Sequence, residues 1–117
     1  SLSHALGGIN PRLHHGTLNA VFLPAVIAFN AQSDSVRDEQ KQQRIAQAMG
    51  LGSAEEIIPA IREMNRRLGM PSGLAEMGVD ESLFPAIIEG ALADHSHKTN
   101  PRLASAEDYA ELLRQSM

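Results

Sequence analysis

Apolar residues recur along the chain at intervals of three and four, the spacing that lines one face of an α-helix. No segment alternates apolar and polar residues long enough to predict a strand. Ser1 to Leu6 reads as the end of a helix stopped by Gly7-Gly8, and Ile9 to His15 as a loop marked by Asn10-Pro11. From Thr17 to about Asn30 the pattern predicts a buried helix. Leu18, Phe22, Ala25 and Phe29 form its stripe, Val21 and Val26 widen it, and Pro24 removes one backbone donor and should kink it. After a loop and cap at Gln32 to Ser35, a polar surface helix is expected over Val36 to Met49, ended by Gly50 and Gly52.

Ser53-Ala54-Glu55-Glu56 has the spacing of a capping box, in which hydroxyl and carboxylate satisfy each other's backbone N–H. The helix it opens carries Ile57, Ile61, Met64 and Leu68 as its inward stripe and ends at Gly69. Pro59 falls near the first turn, where proline costs least. Met70 to Gly73 reads as a turn, and Leu74 to Met77 as a short helix ended by Gly78. Glu81 to Ala93 predicts a helix buried through Leu83, Phe84, Ile87, Ile88, Ala91 and Leu92. His95 to Leu103 is expected to be a loop, and Ser105-Ala106-Glu107-Asp108 caps a last helix that buries Tyr109, Leu112 and Leu113. Helices of these lengths on short connections predict an all-α fold, an antiparallel bundle or array.

Composition narrows the choice. Of 117 residues 43% are apolar but only 3% aromatic, so the core is aliphatic, which suits helix-on-helix packing better than a sandwich. The net charge of -4 and the lack of a basic run argue against a nucleic-acid partner. No apolar stretch reaches the roughly 18 residues of a membrane span. Without cysteine there is neither a disulfide framework nor a thiolate metal site, which fits a cytoplasmic protein. The opening residues suggest a truncated or processed start.

Five histidines are the candidate chemistry: His4, His14, His15, His95 and His97. Neutral imidazole binds zinc or iron, and helix–loop junctions let ligands converge. The plain alternative is that they are exposed or capping side chains. Asp94-His95-Ser96-His97 groups a carboxylate with two imidazoles that could hold a metal, polarise a carbonyl or simply complement a helix C-terminus. A metal-binding module of this chain alone would need His15 to meet His95 or His97. No nucleophile elbow, phosphate-binding glycine loop or dinucleotide fingerprint is present.

The sequence His4-Ala5-Leu6-Gly7-Gly8, followed by His15-Gly16-Thr17-Leu18-Asn19-Ala20-Val21-Phe22-Leu23-Pro24, resembles the signature of iron-containing (group III) alcohol dehydrogenases. Leu74-Ala75-Glu76-Met77-Gly78-Val79, Asn100-Pro101-Arg102 and Ser105-x-Glu107-Asp108 continue the resemblance in order. It implies the C-terminal part of the dehydroquinate synthase-like fold. Residues 1–117 would then be a single helical domain, part of the metal-binding C-terminal half, with the N-terminal nucleotide-binding domain absent.

The resemblance further implies a parent enzyme that interconverts an alcohol and an aldehyde or ketone by hydride transfer. Its cofactors would be NAD(P) and Fe2+ or Zn2+, the metal held by one Asp and three His and polarising the substrate oxygen. His15 matches the last metal-ligand histidine, and His4 matches a catalytic histidine beside the nicotinamide and substrate. The loop between them is one residue longer than is usual in the family, which would select His14; the anchors Gly16, Asn19 and Pro24 keep His15 in register. The other ligands lie upstream in the family, so the isolated chain is expected to be inactive and to hold neither cofactor tightly. The alternative is a non-enzymatic helical module whose uncovered apolar face makes it a homo-oligomer.

Overall fold

The computed structural model describes residues 1–117 and is built entirely from helices and their connections. Seven α-helices follow in order: α1 (Leu2–Ile9), α2 (His15–Asn30), α3 (Asp34–Asp38), α4 (Lys41–Ala48), α5 (Ile57–Arg67), α6 (Phe84–Ala93) and α7 (Ala106–Gln115). Short 3-10 turns precede α5 and α6 and lie at Ala75–Met77 and His95–Thr99. The body is flattened, 39 × 32 × 19 Å, with α2 between α1, α5 and α7, and α6 between α1 and α7. No helix is long and apolar enough to cross a membrane.

One core joins α1, α2, α6 and α7 through 16 buried apolar residues, among them Leu6, Leu18, Ile87 and Leu113. The expected stripe of α2 supplies five of these directly: Leu18, Val21, Phe22, Ala25 and Phe29. A satellite core of Ala46, Ile57 and Ile61 sits under α4 and α5. The bond Leu74 N–H to Ser116 C=O, 2.7 Å, docks the end of α7 on the turn at residues 73–75. Gly73 permits that approach, because a Cβ there would lie 2.1 Å from the Met117 carbonyl oxygen.

Four expectations are corrected. First, α1 does not stop at Gly7-Gly8 but runs to Ile9. Neither glycine adopts the left-handed conformation that ends helices, and the chain leaves the helix at Asn10, held extended by Pro11 behind it. Second, α2 begins at His15 rather than Thr17. Its N-cap is His14, whose side chain makes no capping bond, so the boundary carries none of the usual signals. Third, the polar segment is two helices, α3 and α4, separated where Gln40 takes φ 50°. A non-glycine residue there costs about 1–2 kcal/mol, and neither glycine nor proline marks the break. Fourth, Met64 of α5 and Leu68, its C-cap, are 48% and 63% exposed, although Ile57 and Ile61 are buried. Periodicity defines a face but not how far its covering partner extends.

Pro24 lies inside α2 without ending it. It lacks the N–H that would have paired with the Ala20 carbonyl four residues earlier. The Asn65 side-chain amide of α5 donates to that carbonyl instead, at 2.9 Å. Proline thus creates an acceptor on α2, and a second helix is fastened to it.

Candidate functional site

The site residues converge where the N-terminal ends of α1 and α2 meet the C-terminal end of α6. Helices α1 and α6 approach at Ala5 and Gly90, where a Cβ on Gly90 would lie 3.0 Å from that of Ala5. The flanking positions are His4, next to Ala5, and Asp94, one helical turn beyond Gly90. Their side chains meet: His4 Nδ1 lies 2.8 Å from Asp94 Oδ2. On the α2 side, the Ser3 hydroxyl donates to the Asn19 side-chain carbonyl at 2.6 Å, which ties α1 to the first turns of α2.

Three imidazoles stack here. The His4 ring lies 5.1 Å from that of His15 at 17°, and 5.9 Å from that of His95 at 22°. His4 is half exposed, whereas Asp94 is only 12% exposed. The two oxygens of Asp94 divide their work. Oδ1 accepts from the Ser96 backbone N–H at 2.7 Å, capping the 3-10 turn His95–Thr99, while Oδ2 faces His4. Burial would raise the Asp94 carboxyl, but the bonds from the Ser96 backbone and the His4 ring outweigh it and hold the group well below the ordinary carboxylate range.

His97 does not join the stack. It is buried, with Nδ1 2.8 Å from the Tyr109 hydroxyl, and burial pushes that hydroxyl's pKa up. His97 is thus engaged with Tyr109 rather than with the stack, whose recorded ring contacts are His4 with His15 and His4 with His95. His14 is exposed as the N-cap of α2.

The partnership of His4 with Asp94 has no local mark in the sequence, because 90 positions separate them. Its nearest signal is the cap spacing Asp94-x-Ser96, which foretells the turn but not the histidine. The Asn100-Pro101-Arg102 motif also acquires a task. Asn100 and Asn30 exchange side-chain amide bonds of 2.7 and 3.1 Å. The Arg102 guanidinium stacks 3.9 Å over Phe29 and donates to the Phe29 carbonyl at 3.3 Å. The motif closes the C-terminal end of α2, satisfying carbonyls that a helix end leaves unpaired.

No group of three or more His, Cys, Asp or Glu side chains is arranged to hold a metal ion. His15 offers an exposed imidazole, a donor type compatible with either iron or zinc.

The all-helical fold is that of the C-terminal domain of the Fe-containing alcohol dehydrogenases. The chain belongs to the Fe-containing alcohol dehydrogenase family, matching the model of its C-terminal domain over residues 1–117. It is 50% identical to 4-hydroxybutyrate dehydrogenase of Cupriavidus necator, over all of this chain and 32% of the relative. It is 33% identical to NAD-dependent methanol dehydrogenase of Bacillus methanolicus, again over all of this chain and 32% of the relative. A crystal structure of 1,3-propanediol oxidoreductase superposes with a TM-score of 0.87 at 34% identity, covering 99% of this chain and 31% of that one. The chain thus spans about a third of the length of the relatives it matches.

Proposed function

We propose that this chain is the C-terminal, metal-binding helical part of an NAD(P)-dependent alcohol dehydrogenase, and that the nucleotide-binding domain and the remaining metal ligands belong to the rest of the parent enzyme. The observation that carries the reading is the stacking of His4 on His15 at 5.1 Å. These two histidines, selected by family resemblance, come from different helices and form one surface. His15 is the metal ligand, and His4 stands beside the nicotinamide and substrate. When bound, the metal held by His15 would supply polarisation of the substrate oxygen, and the nicotinamide would supply the hydride donor or acceptor. His4, oriented through Nδ1 by Asp94, presents Nε2 where a hydroxyl proton can be accepted or returned. The 50% identity to 4-hydroxybutyrate dehydrogenase favours a short primary alcohol carrying a distal carboxylate as substrate.

The test is turnover of 4-hydroxybutyrate, methanol and 1,3-propanediol with NAD and NADP by the intact parent, with metal content measured alongside. His15→Ala should lose both metal and activity. His4→Ala should keep the metal and lose turnover by about 100-fold or more, the usual weight of a positioned acid–base group. Full activity in His15→Ala would reject the reading.

Self-association of the chain alone is a second reading, favoured by the exposure of Leu68 and Leu103 at 63% and 65%. Sedimentation at several concentrations decides it; a monomer throughout rejects it.

A further inference from the structure

We infer that Asp94 is a positioning residue that fixes the neutral His4 ring as its Nδ1–H tautomer and thereby presents Nε2 as an unprotonated acceptor. The inference rests on the reading of His4 as a residue of the reaction centre, and it adds the element that would make His4 competent there.

The argument is one of donors and acceptors. An ionised carboxylate can only accept hydrogen bonds. Although burial opposes it, Asp94 is kept ionised by the Ser96 N–H bond that caps the following turn together with the bond to the His4 ring. A neutral imidazole has one N–H, and the 2.8 Å separation from Oδ2 requires it at Nδ1. The opposite nitrogen is then free to accept. The His4 ring stacks against those of His15 and His95, at 5.1 and 5.9 Å between centroids, so neighbouring rings restrict its plane while Asp94 sets its tautomer.

The fold supports the same conclusion. The close passage of α1 over Gly90 brings His4 within reach of Asp94. A Cβ at position 90 would press on that of Ala5 at 3.0 Å, so glycine suits this close passage. Capping alone would need only one carboxylate oxygen, and a serine or asparagine could serve as well. The second oxygen of Asp94 is engaged with His4.

The test is Asp94→Asn in the 117-residue chain, read by long-range proton–nitrogen NMR of the His4 ring at a pH where it is neutral. Asparagine keeps an oxygen for the Ser96 N–H but offers an N–H2 where Oδ2 stood. That group can only donate, so His4 should invert from mainly Nδ1–H to mainly Nε2–H, exchanging the protonated and unprotonated signatures of its two nitrogens. Asp94→Ser, which retains a cap but cannot reach His4, should show a mixture of both tautomers. Asp94→Glu should restore the original one in part. A native ring that is mainly Nε2–H, or a tautomer unchanged in both Asp94→Asn and Asp94→Ser, overturns the inference. Because the readout is the ring itself, inversion in Asp94→Asn upholds the positioning role even if turnover by the intact enzyme disproves the placement of His4 in catalysis.

Discussion

The two halves of this small domain are held together by different forces. Helices α1, α2, α6 and α7, with Leu74, Val79 and Ala104 from the connections, share a core of 16 buried apolar residues, whereas α4 and α5 share only Ala46, Ile57 and Ile61. The satellite is fastened to the main body by directional bonds as well. Asn65 donates to the Ala20 carbonyl at 2.9 Å, and Gln42 to the Ile27 carbonyl at 2.8 Å, both on α2. Apolar burial is tolerant of direction but strong in sum; a side-chain bond to backbone is weak in net terms yet costly to leave unmade. The histidine stack stands on the first kind of support. Its geometry should therefore survive loosening of the satellite but not of the main core.

The largest expected effect separates the halves by the same substitution in each. Ile87→Ala, in the main core, should cost about 2–5 kcal/mol and lower the melting temperature of the whole chain. Ile57 is equally buried, at 0% exposure for both. Its cavity opens into a core of three residues, so Ile57→Ala should raise amide hydrogen exchange in α4 and α5 while protection in α2, α6 and α7 remains. Uniform loss of protection in Ile57→Ala would mean that the two halves form one cooperative unit.

Next comes the seam. Asn65→Ala leaves the Ala20 carbonyl with neither its helical partner, which Pro24 removes, nor its substitute. The expected cost is about 1–3 kcal/mol. The double variant Asn65→Ala with Pro24→Ala should recover part of it, since the new alanine N–H can pair with Ala20. Failure of the double variant to exceed the single one in a urea melt would show that the Asn65 bond is not compensating for the proline.

How legible all this was in the sequence follows the same division. The apolar stripes of α2 and α7, that of α6 apart from Leu92, which is expected inside but is 39% exposed, and both capping boxes could be read from local spacing, because a local rule of period or cap determines each. The ends of α1 and α2 could not: two glycines invite a stop that the helix does not take, and His14 carries no capping signal. The break at Gln40 has no local cause of any kind. For the site, His4 and His15 were picked out by motif, and the fold places them against each other. Asp94 was grouped with His95 and His97, its neighbours along the chain, although its side chain turns to His4 and His97 turns inward to Tyr109. A pairing across 90 positions depends on how α1 crosses α6 at Gly90, and one sequence carries no trace of that crossing.

A smaller effect probes the cap of α7, which closes the main core. The Ser105 hydroxyl accepts from the Asp108 N–H at 3.1 Å, and Asp108 accepts from the Ser105 N–H at 2.9 Å. Ser105→Ala should cost about 1 kcal/mol. Acid should weaken the same box. The Ser105 N–H holds the Asp108 carboxyl below its ordinary value, so its contribution is present above about pH 4 and is lost as the pH falls further. In Asp108→Asn, which keeps an acceptor for the Ser105 N–H but does not titrate, the acid limb of a stability-against-pH curve should become shallower. An unchanged limb would place the acid sensitivity elsewhere.

The smallest effect is expected on the outer face of the satellite. Met64 and Leu68 continue the stripe of Ile57 and Ile61 but remain in solvent. In a chain that is monomeric, replacing both by glutamine removes only the covered part of each side chain, about half or less, and should alter stability by about 0.5 kcal/mol. If copies associate through α5, the same pair of changes should shift sedimentation toward the monomer and make the melting temperature of the unaltered chain, but not of the variant, depend on concentration. The two outcomes differ in kind, so a single pair of substitutions decides whether the sparse packing of this half is its finished state or the uncovered side of an interface.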